Sequence, residues 1–250
     1  MRLVLLHYHL FKNAGTTIED MLAHSFGDFA RWDTDDRDAL ISNPELVAYL
    51  KARPAVQALS SHQIRYPVPR EPGFLFFDIC FLRDPLDRVR SSYDYFRAKP
   101  APGDTVSDLA NRLPLGEFTR SLVDDAPWFV NDAQVNTIAN GVCNDPPSQA
   151  DLELATERLM QTSFLGVVDR FEDSLRLAKF KLAAAFPTLQ LSRPAANTST
   201  DLSATLTDRL HSYEAECGKE TWSRLLDLNR LDLELVSRVR RRIEEQLREI

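Results

Sequence analysis

The 250-residue chain has no long apolar run. Its opening stretch Leu3-Val4-Leu5-Leu6 is too short for a signal-peptide core or a membrane span, and no small-residue cleavage site follows it. Nowhere else does the sequence approach the roughly 20 apolar residues that a spanning helix needs. The chain therefore reads as soluble and cytoplasmic, with no membrane span. Cysteine is scarce. Cys80, Cys143 and Cys217 are odd in number and far apart, and none belongs to a CxxC metal or redox pair. Cys80, inside the apolar run Asp78-Ile79-Cys80-Phe81-Leu82, reads as a buried structural thiol. A basic surplus is missing too: the net charge of −7 argues against nucleic acid as a general partner. Internal repeats and low-complexity tracts are also lacking.

What remains is an ordinary globular composition, 44% hydrophobic and 27% charged. That is enough chain for one well-packed α/β domain over residues 1–250. Leu3–Leu6 reads as a buried strand, followed by a loop from His9 to Gly15 and a helix with Ile18, Met21 and Leu22 on one face. Further strands are expected at Val56–Ser60, Phe74–Leu82 and Phe164–Val168. The second of these is apolar nearly throughout, as suits a parallel strand covered on both faces. Helices are expected over Leu86–Phe96, from a capping box at Ser148–Asp151 to about Met160, and from Glu172 to Phe186 ahead of Pro187. Pro100–Gly103 is a break and Ser192–Ser203 a polar loop. Two helices, about 204–216 and 219–248, close a helix-rich C-terminal part. Strands alternating with helices predict an α/β fold with a central parallel sheet flanked by helices.

Two segments carry chemistry. Lys12-Asn13-Ala14-Gly15-Thr16-Thr17 lies between strand and helix, where backbone N–H groups face an anion. Gly15 permits close backbone approach, the Thr16 and Thr17 hydroxyls can donate, and Lys12 adds a full positive charge. The loop is not a GxxxxGK[ST] motif, because Lys12 precedes Gly15 by three residues. An ordinary strand–helix turn with an exposed lysine would look similar in isolation. The second segment, Arg83-Asp84-Pro85-Leu86-Asp87-Arg88-Val89-Arg90-Ser91, begins where the apolar strand ends, which is where open α/β sheets bind ligands. Arg83 can clamp a phosphate with its planar fork, and Ser91 lies about two helical turns further on. From His62 to Lys99 the chain has seven Lys/Arg against five Asp/Glu, a local surplus of +2 in an acidic protein.

Together these two elements resemble the phosphosulfate loop and the 3′-phosphate element of carbohydrate sulfotransferases that use 3′-phosphoadenosine 5′-phosphosulfate (PAPS), bacterial relatives included. The segment Asn131–Gly141 with Gln134 and Asn136, the stretch Phe164–Glu172 and the closing helix with Asp232 are similar more weakly. Asn13 takes a place often filled by Thr, and Val168-Asp169 one where a more polar pair is common. The resemblance implies a P-loop-like three-layer domain and transfer of a sulfuryl group from PAPS to an acceptor hydroxyl. It favours a glycan or glycoconjugate as the acceptor's carrier and leaves adenosine 3′,5′-bisphosphate as product. Lys12 would then contact the oxygen bridging sulfur and phosphorus. Asn13, Ala14, Gly15, Thr16 and Thr17 would hold the 5′-phosphate, and Arg83 and Ser91 the 3′-phosphate. No metal is expected. His62, at the end of the second strand in Ser60-Ser61-His62-Gln63, is the base expected to take the acceptor's proton, because histidine titrates near neutrality. His7 and His9 are read as packing or orienting the loop, and His24 and His211 as surface residues. Trp128 and Phe129 suit either a sugar-stacking or a core role. Asn197 and Thr198 are placed near the nucleotide, and Ala98–Gly116 along a wall of the acceptor cleft. Arg238, Arg240, Arg241 and Arg242 read as a solvated helical face. A P-loop-type nucleotide-dependent kinase and an inactive nucleotide-binding relative are the alternatives.

Overall fold

A computed structural model describes residues 1–36, 39–142, 145–192 and 204–250. Cys143, Asn197 and Thr198, with most of the Ser192–Ser203 segment, lie outside the described residues. The chain runs β1 (Arg2–Tyr8), α1 (Gly15–Ser25), β2 (Phe29–Arg31), α2 (Asn43–Lys51), β3 (Ala58–Ser61), β4 (Phe74–Leu82) and α3 (Pro85–Ala98). It continues through α4 (Thr105–Arg112), α5 (Leu115–Asp125), a 3-10 turn at Pro127–Phe129, α6 (Ala133–Asn140), α7 (Gln149–Met160) and β5 (Phe164–Val167). After a second 3-10 turn at Val168–Arg170 come α8 (Phe171–Leu182), α9 (Leu206–Cys217), α10 (Lys219–Leu228) and α11 (Arg230–Leu247).

The five strands form one sheet in the order β2-β3-β1-β4-β5, every pairing parallel. Helices flank it, giving the three-layer α/β architecture that the strand–helix alternation predicts. β1 is central, and its last residue Tyr8 is in register with Ser61 of β3 and Cys80 of β4. The connections that follow β1 and β4 leave in opposite directions. From β1 the chain passes through α1 to the β2 edge, and from β4 it passes eventually to β5 at the other edge. Beyond the carboxyl ends of β1 and β4 there is consequently a crevice that no crossover fills, the place where doubly wound sheets take ligands.

Two apolar cores support this arrangement. One is built on the sheet, with Leu5, Leu6, Phe81 and Phe164 against α1, α7, α8 and α11. The other gathers α3, α4, α5, α9 and α10 around Phe118, Tyr213 and Leu225. The helix expected from 219 to 248 is in fact two, broken at Asn229, whose amide donates to the Leu225 carbonyl at 2.8 Å. Nor is the arginine cluster of α11 simply a solvated face. Arg240 forms a two-pronged pair with Asp169, both bonds at 3.0 Å, and lies 3.5 Å from Asp84 at the start of α3. Arg238 pairs with Glu234 one turn back and with Glu153 of α7.

Candidate active site

The loop after β1 is an irregular turn held from inside the protein. Lys12 and Ala14 both adopt left-handed backbone (φ 65° and 63°), a conformation that costs a side-chain-bearing residue of order 1–3 kcal/mol. Asn13 holds the turn in place. It is buried, and its amide donates to the Phe81 carbonyl of β4 (2.9 Å) and to Oε1 of Gln134 (2.8 Å), while its backbone N–H donates to Leu10. Asn13 is thus a strut under the loop, with neither its amide nor its N–H turned toward a ligand. Ala14 begins α1 with no side-chain cap and no acidic residue in the first turn. The N-terminal N–H groups of α1, at Gly15, Thr16 and Thr17, thereby keep their capacity for an anion.

Gly15 has a specific internal reason to be glycine: a Cβ there would lie 1.9 Å from the His9 ring. The Lys12 ammonium lies 4.5 Å from the centre of the Tyr95 ring of α3. Burial, reinforced by Arg83 and opposed by Asp94, lowers its pKa from 10.5 to about 8.

The second element meets the first. Arg83 is buried, and its guanidinium donates to the Lys12 carbonyl at 3.2 Å and to Asp87 at 2.7 Å. Asp87 also receives Arg209 of α9 through bonds of 2.9 and 3.2 Å. Burial pushes the Asp87 carboxyl up, but the two guanidinium groups outweigh it and hold the pKa below the usual aspartate value. Ser91 is buried one turn beyond Asp87 on α3. The N-terminus of α3 is capped by Asp84, so at this strand end side chains rather than helix N–H groups are offered to an anion. Gln134 of α6 joins both elements. Its Oε1 accepts from Asn13 and from the Arg83 N–H (3.1 Å), and its Nε2 donates to the Arg83 carbonyl (2.9 Å). Beneath it the fully buried Asp232 accepts from the Gln134 and Val135 N–H groups at 3.0 and 2.7 Å.

On the other side of β1, three imidazoles converge. Parallel register puts His7 beside Ser60 (Nδ1 to Oγ, 2.8 Å), and two residues on it puts His9 beside His62, with ring centres 3.7 Å apart. His9 Nδ1 bonds Glu19 of α1 at 2.9 Å, and Ser60 and Arg31 donate to the same carboxylate. Burial opposes ionisation of Glu19, but His9 and Ser60 bring its pKa down to about 2. The His62 backbone N–H and the Ser61 hydroxyl both donate to Asp33. His62 Nδ1 lies 2.8 Å from the His9 carbonyl, which can only accept. Nδ1 therefore carries the hydrogen, and in the neutral ring Nε2 keeps its lone pair. Desolvation and the neighbouring His9 lower the His62 pKa, so the ring is neutral at pH 7.

Among the described residues, His7, His9 and Glu19 offer metal-type donor atoms within 4.8 Å of one another. Those atoms are already joined through His9–Glu19 and Ser60, with Arg31 on the second carboxylate oxygen. A cation would have to break the first bond beside a guanidinium. The donor set fits a hydrogen-bond network better than a metal centre.

A cavity of about 370 Å³ lies between these groups and the helical region. His9, His62, Leu10, Phe11, Asp104, Val106, Trp128 and Phe129 are on its wall, whereas Lys12, Arg83 and Ser91 are not. It adjoins the loop after β1 through Leu10 and Phe11. From the 98–116 segment, Asp104 and Val106 at the start of α4 lie on this cavity's wall. His24 and His211 are exposed, as expected. Glu19, Asp33 and Arg209 have no local sequence signature, since each acts on a partner far along the chain.

No family model matches the chain. It is 25% identical over 245 residues to an uncharacterized protein of Archaeoglobus fulgidus, a similarity covering 95% of this chain and 96% of that one. No helix among the described residues is long and apolar enough to cross a membrane.

Proposed function

We propose that this protein is a PAPS-dependent sulfotransferase acting on a hydroxyl. One observation carries the reading. At the crevice between β1 and β4, an uncapped helix start with Lys12 and a second cationic element with Arg83 stand at adjacent strand ends, joined by the Arg83–Lys12 bond. A donor with two separated phosphate groups needs two such places. In this reading the α1 N–H groups and the Thr16 and Thr17 hydroxyls hold the 5′-phosphate, and Arg83 and Ser91, helped by Arg209, hold the 3′-phosphate. PAPS supplies an activated sulfuryl group, and transfer is an in-line displacement in which positioning and charge stabilisation provide most of the catalysis. Lys12 stabilises charge on the oxygen that loses sulfur. His62 Nε2 takes the proton of the acceptor hydroxyl as the new O–S bond forms. No metal enters the scheme. The free, buried thiols of Cys80 and Cys217 support a cytoplasmic setting.

The test is calorimetric binding of adenosine 3′,5′-bisphosphate in the presence of a chelator, followed by transfer from sulfur-labelled PAPS to a panel of hydroxyl compounds. Binding without metal in preference to ATP, and a loss of at least about a hundredfold in transfer for Lys12→Ala, are expected, since charge stabilisation at a leaving oxygen is commonly worth that much. ATP binding that requires Mg²⁺ would replace this reading with a kinase. Full transfer by Lys12→Ala would remove the mechanism, and full transfer by His62→Ala would remove only the base.

A further inference from the structure

We infer that the acceptor is a compact apolar alcohol, a hydroxyl on an aromatic or alicyclic body, and not a glycan. This rests on the sulfotransfer reading and concerns the cavity beside His62. Its volume of about 370 Å³ is near the lower end of the roughly 300–1,000 Å³ typical of small-molecule sites. The wall is largely aromatic and aliphatic. Tyr8 and Tyr66 are stacked at 4.0 Å, Phe11 packs with Phe96 and Phe129, and Trp128 is 47% exposed.

The polar side chains on the wall decide the matter, because among the described residues most are already bonded within the protein, and the Tyr8 hydroxyl and Arg88 Nε, which have no hydrogen-bond partner there, are buried away from the surface. Arg65 donates to the carbonyls of Gly141, His62 and Ile64, and Arg88 to that of Phe129. Gln134 uses both ends of its amide on Asn13, Arg83 and Asp232. Ser61 is bound to Asp33, His9 to Glu19, and Asp104 caps α4. Thr137 too is engaged within the protein. Among the described residues three polar side-chain atoms of the wall remain uncommitted: His62 Nε2, since only Nδ1 is bonded, to the His9 carbonyl; His9 Nε2, which faces Gly15 at the start of α1; and the indole N–H of Trp128.

A sugar brings several hydroxyls, and those that enter against the wall lose their water. Without partners on the wall each is costly to bury. An apolar alcohol brings one hydroxyl, for which the lone pair of His62 Nε2 is an acceptor. A sulfated or uronic glycan fares worse, because the arginines at the wall are engaged with carbonyls and Asp104 adds negative charge.

The experiment uses the full chain with 2-naphthol as probe and methyl glucoside and a sulfated disaccharide as comparators. With adenosine 3′,5′-bisphosphate present, naphthol fluorescence is expected to titrate to saturation, and with PAPS naphthyl sulfate is expected to form. Trp128→Ala, at an exposed position that folding tolerates, should raise KM for naphthol about tenfold with kcat nearly unchanged, and should leave nucleotide binding as it was. Val106→Trp, which fills the cavity, should abolish saturable naphthol binding, with retained nucleotide binding as the sign that it folds. Nucleotide binding with sulfation of the saccharides alone would overturn the inference and leave the sulfotransfer reading standing. Absence of both nucleotide binding and transfer would defeat the sulfotransfer reading and with it the acceptor role. Failure of naphthol to saturate the wild-type protein would overturn the apolar cavity whatever the nucleotide does.

Discussion

Lys12 carries its charge where charge is costly. Burial and the neighbouring Arg83 lower its pKa to about 8, so close to neutrality a small environmental change moves its proton. An anion bound at the loop favours the protonated form and raises that value again. By linkage, affinity for the proposed nucleotide should be highest below pH 8 and fall as the pH rises above it, by at most about tenfold per unit, until the pKa of the complex is reached. Titrating adenosine 3′,5′-bisphosphate between pH 7.5 and 9.5 checks this. Lys12→Arg, whose guanidinium stays charged throughout, should flatten the profile. A wild-type affinity that does not change over the range would place Lys12 outside the anion site. Asn13 and Gly15 make the complementary point. Both look like ligand residues in the motif, yet Asn13 is turned inward to Phe81 and Gln134, and Gly15 makes room for the His9 ring. A loop motif mixes residues that touch a ligand with residues that hold the loop, and sequence spacing alone does not separate the two.

Among the elements, α6 shows how the site is braced from below. Two carboxylates meet at its N-terminus. Asp232 accepts from the helix's first N–H groups, and Asp132, at the N-cap with φ 44°, accepts from the Asp232 N–H at 2.7 Å. Burial and the Asp232 charge push the Asp132 pKa up to about 7. Because this folded value lies above the unfolded one, the stability Asp132 contributes is fully present below about pH 4 and is lost as the pH rises through about 7. Asp132→Asn keeps an acceptor oxygen, tolerates left-handed backbone and removes the surplus charge. Its advantage should grow between pH 4 and 7 and then level off at about 1 kcal/mol, a Tm gain of about 2–4 °C at pH 8 by thermal melts. A loss of Tm at pH 8 would count against the like-charge account. The elements that carry the site were legible unevenly. The apolar run of β4 and the capping box of α7 mark those elements to the residue, and Ile18, Met21 and Leu22 are indeed the buried face of α1. The three-residue edge strand β2 is too short for any periodicity. α2 has its own capping box at Ser42–Glu45 and was readable by the same signal as α7. The break at Asn229 has neither glycine nor proline to mark it; there the Asp132 N–H, far back along the chain, donates to the Leu228 carbonyl at 2.9 Å. The same holds for Glu19, Asp33 and Arg209: their partners are His9, His62 and Asp87, and only the folded sheet and helices bring these together.

At the scale of the whole molecule, the proposed 3′-phosphate element is also the seam between the two cores. α3 begins at the end of β4, in the sheet's core, and its far side packs with α4, α5 and α9 in the second. Arginines close that seam at the start of α3: Arg83 from the sheet side and Arg209 from α9 share Asp87, while Arg240 of α11 approaches Asp84. The proposed 3′-phosphate site is therefore built from charges that also hold the helical region against the sheet, and folding and binding should fail together when one is removed. Arg209→Ala leaves the buried Asp87 with Arg83 alone. Because one partner remains, the cost should lie below that of a fully orphaned buried charge, at about 2 kcal/mol, or a Tm loss of about 4–8 °C. The sign of the pH dependence follows from Asp87, whose folded pKa is depressed. Its contribution is present above the unfolded value of about 4 and is lost as the pH falls below it, so wild type and variant should converge in acid. In the same variant Asp87 draws more tightly on Arg83, and affinity for adenosine 3′,5′-bisphosphate should drop while naphthol binding in the cavity persists. Melts across pH 3–8 with both titrations test the coupling. Lost stability with unchanged nucleotide affinity would confine Arg209 to the seam and leave the 3′-phosphate to Arg83 and Ser91.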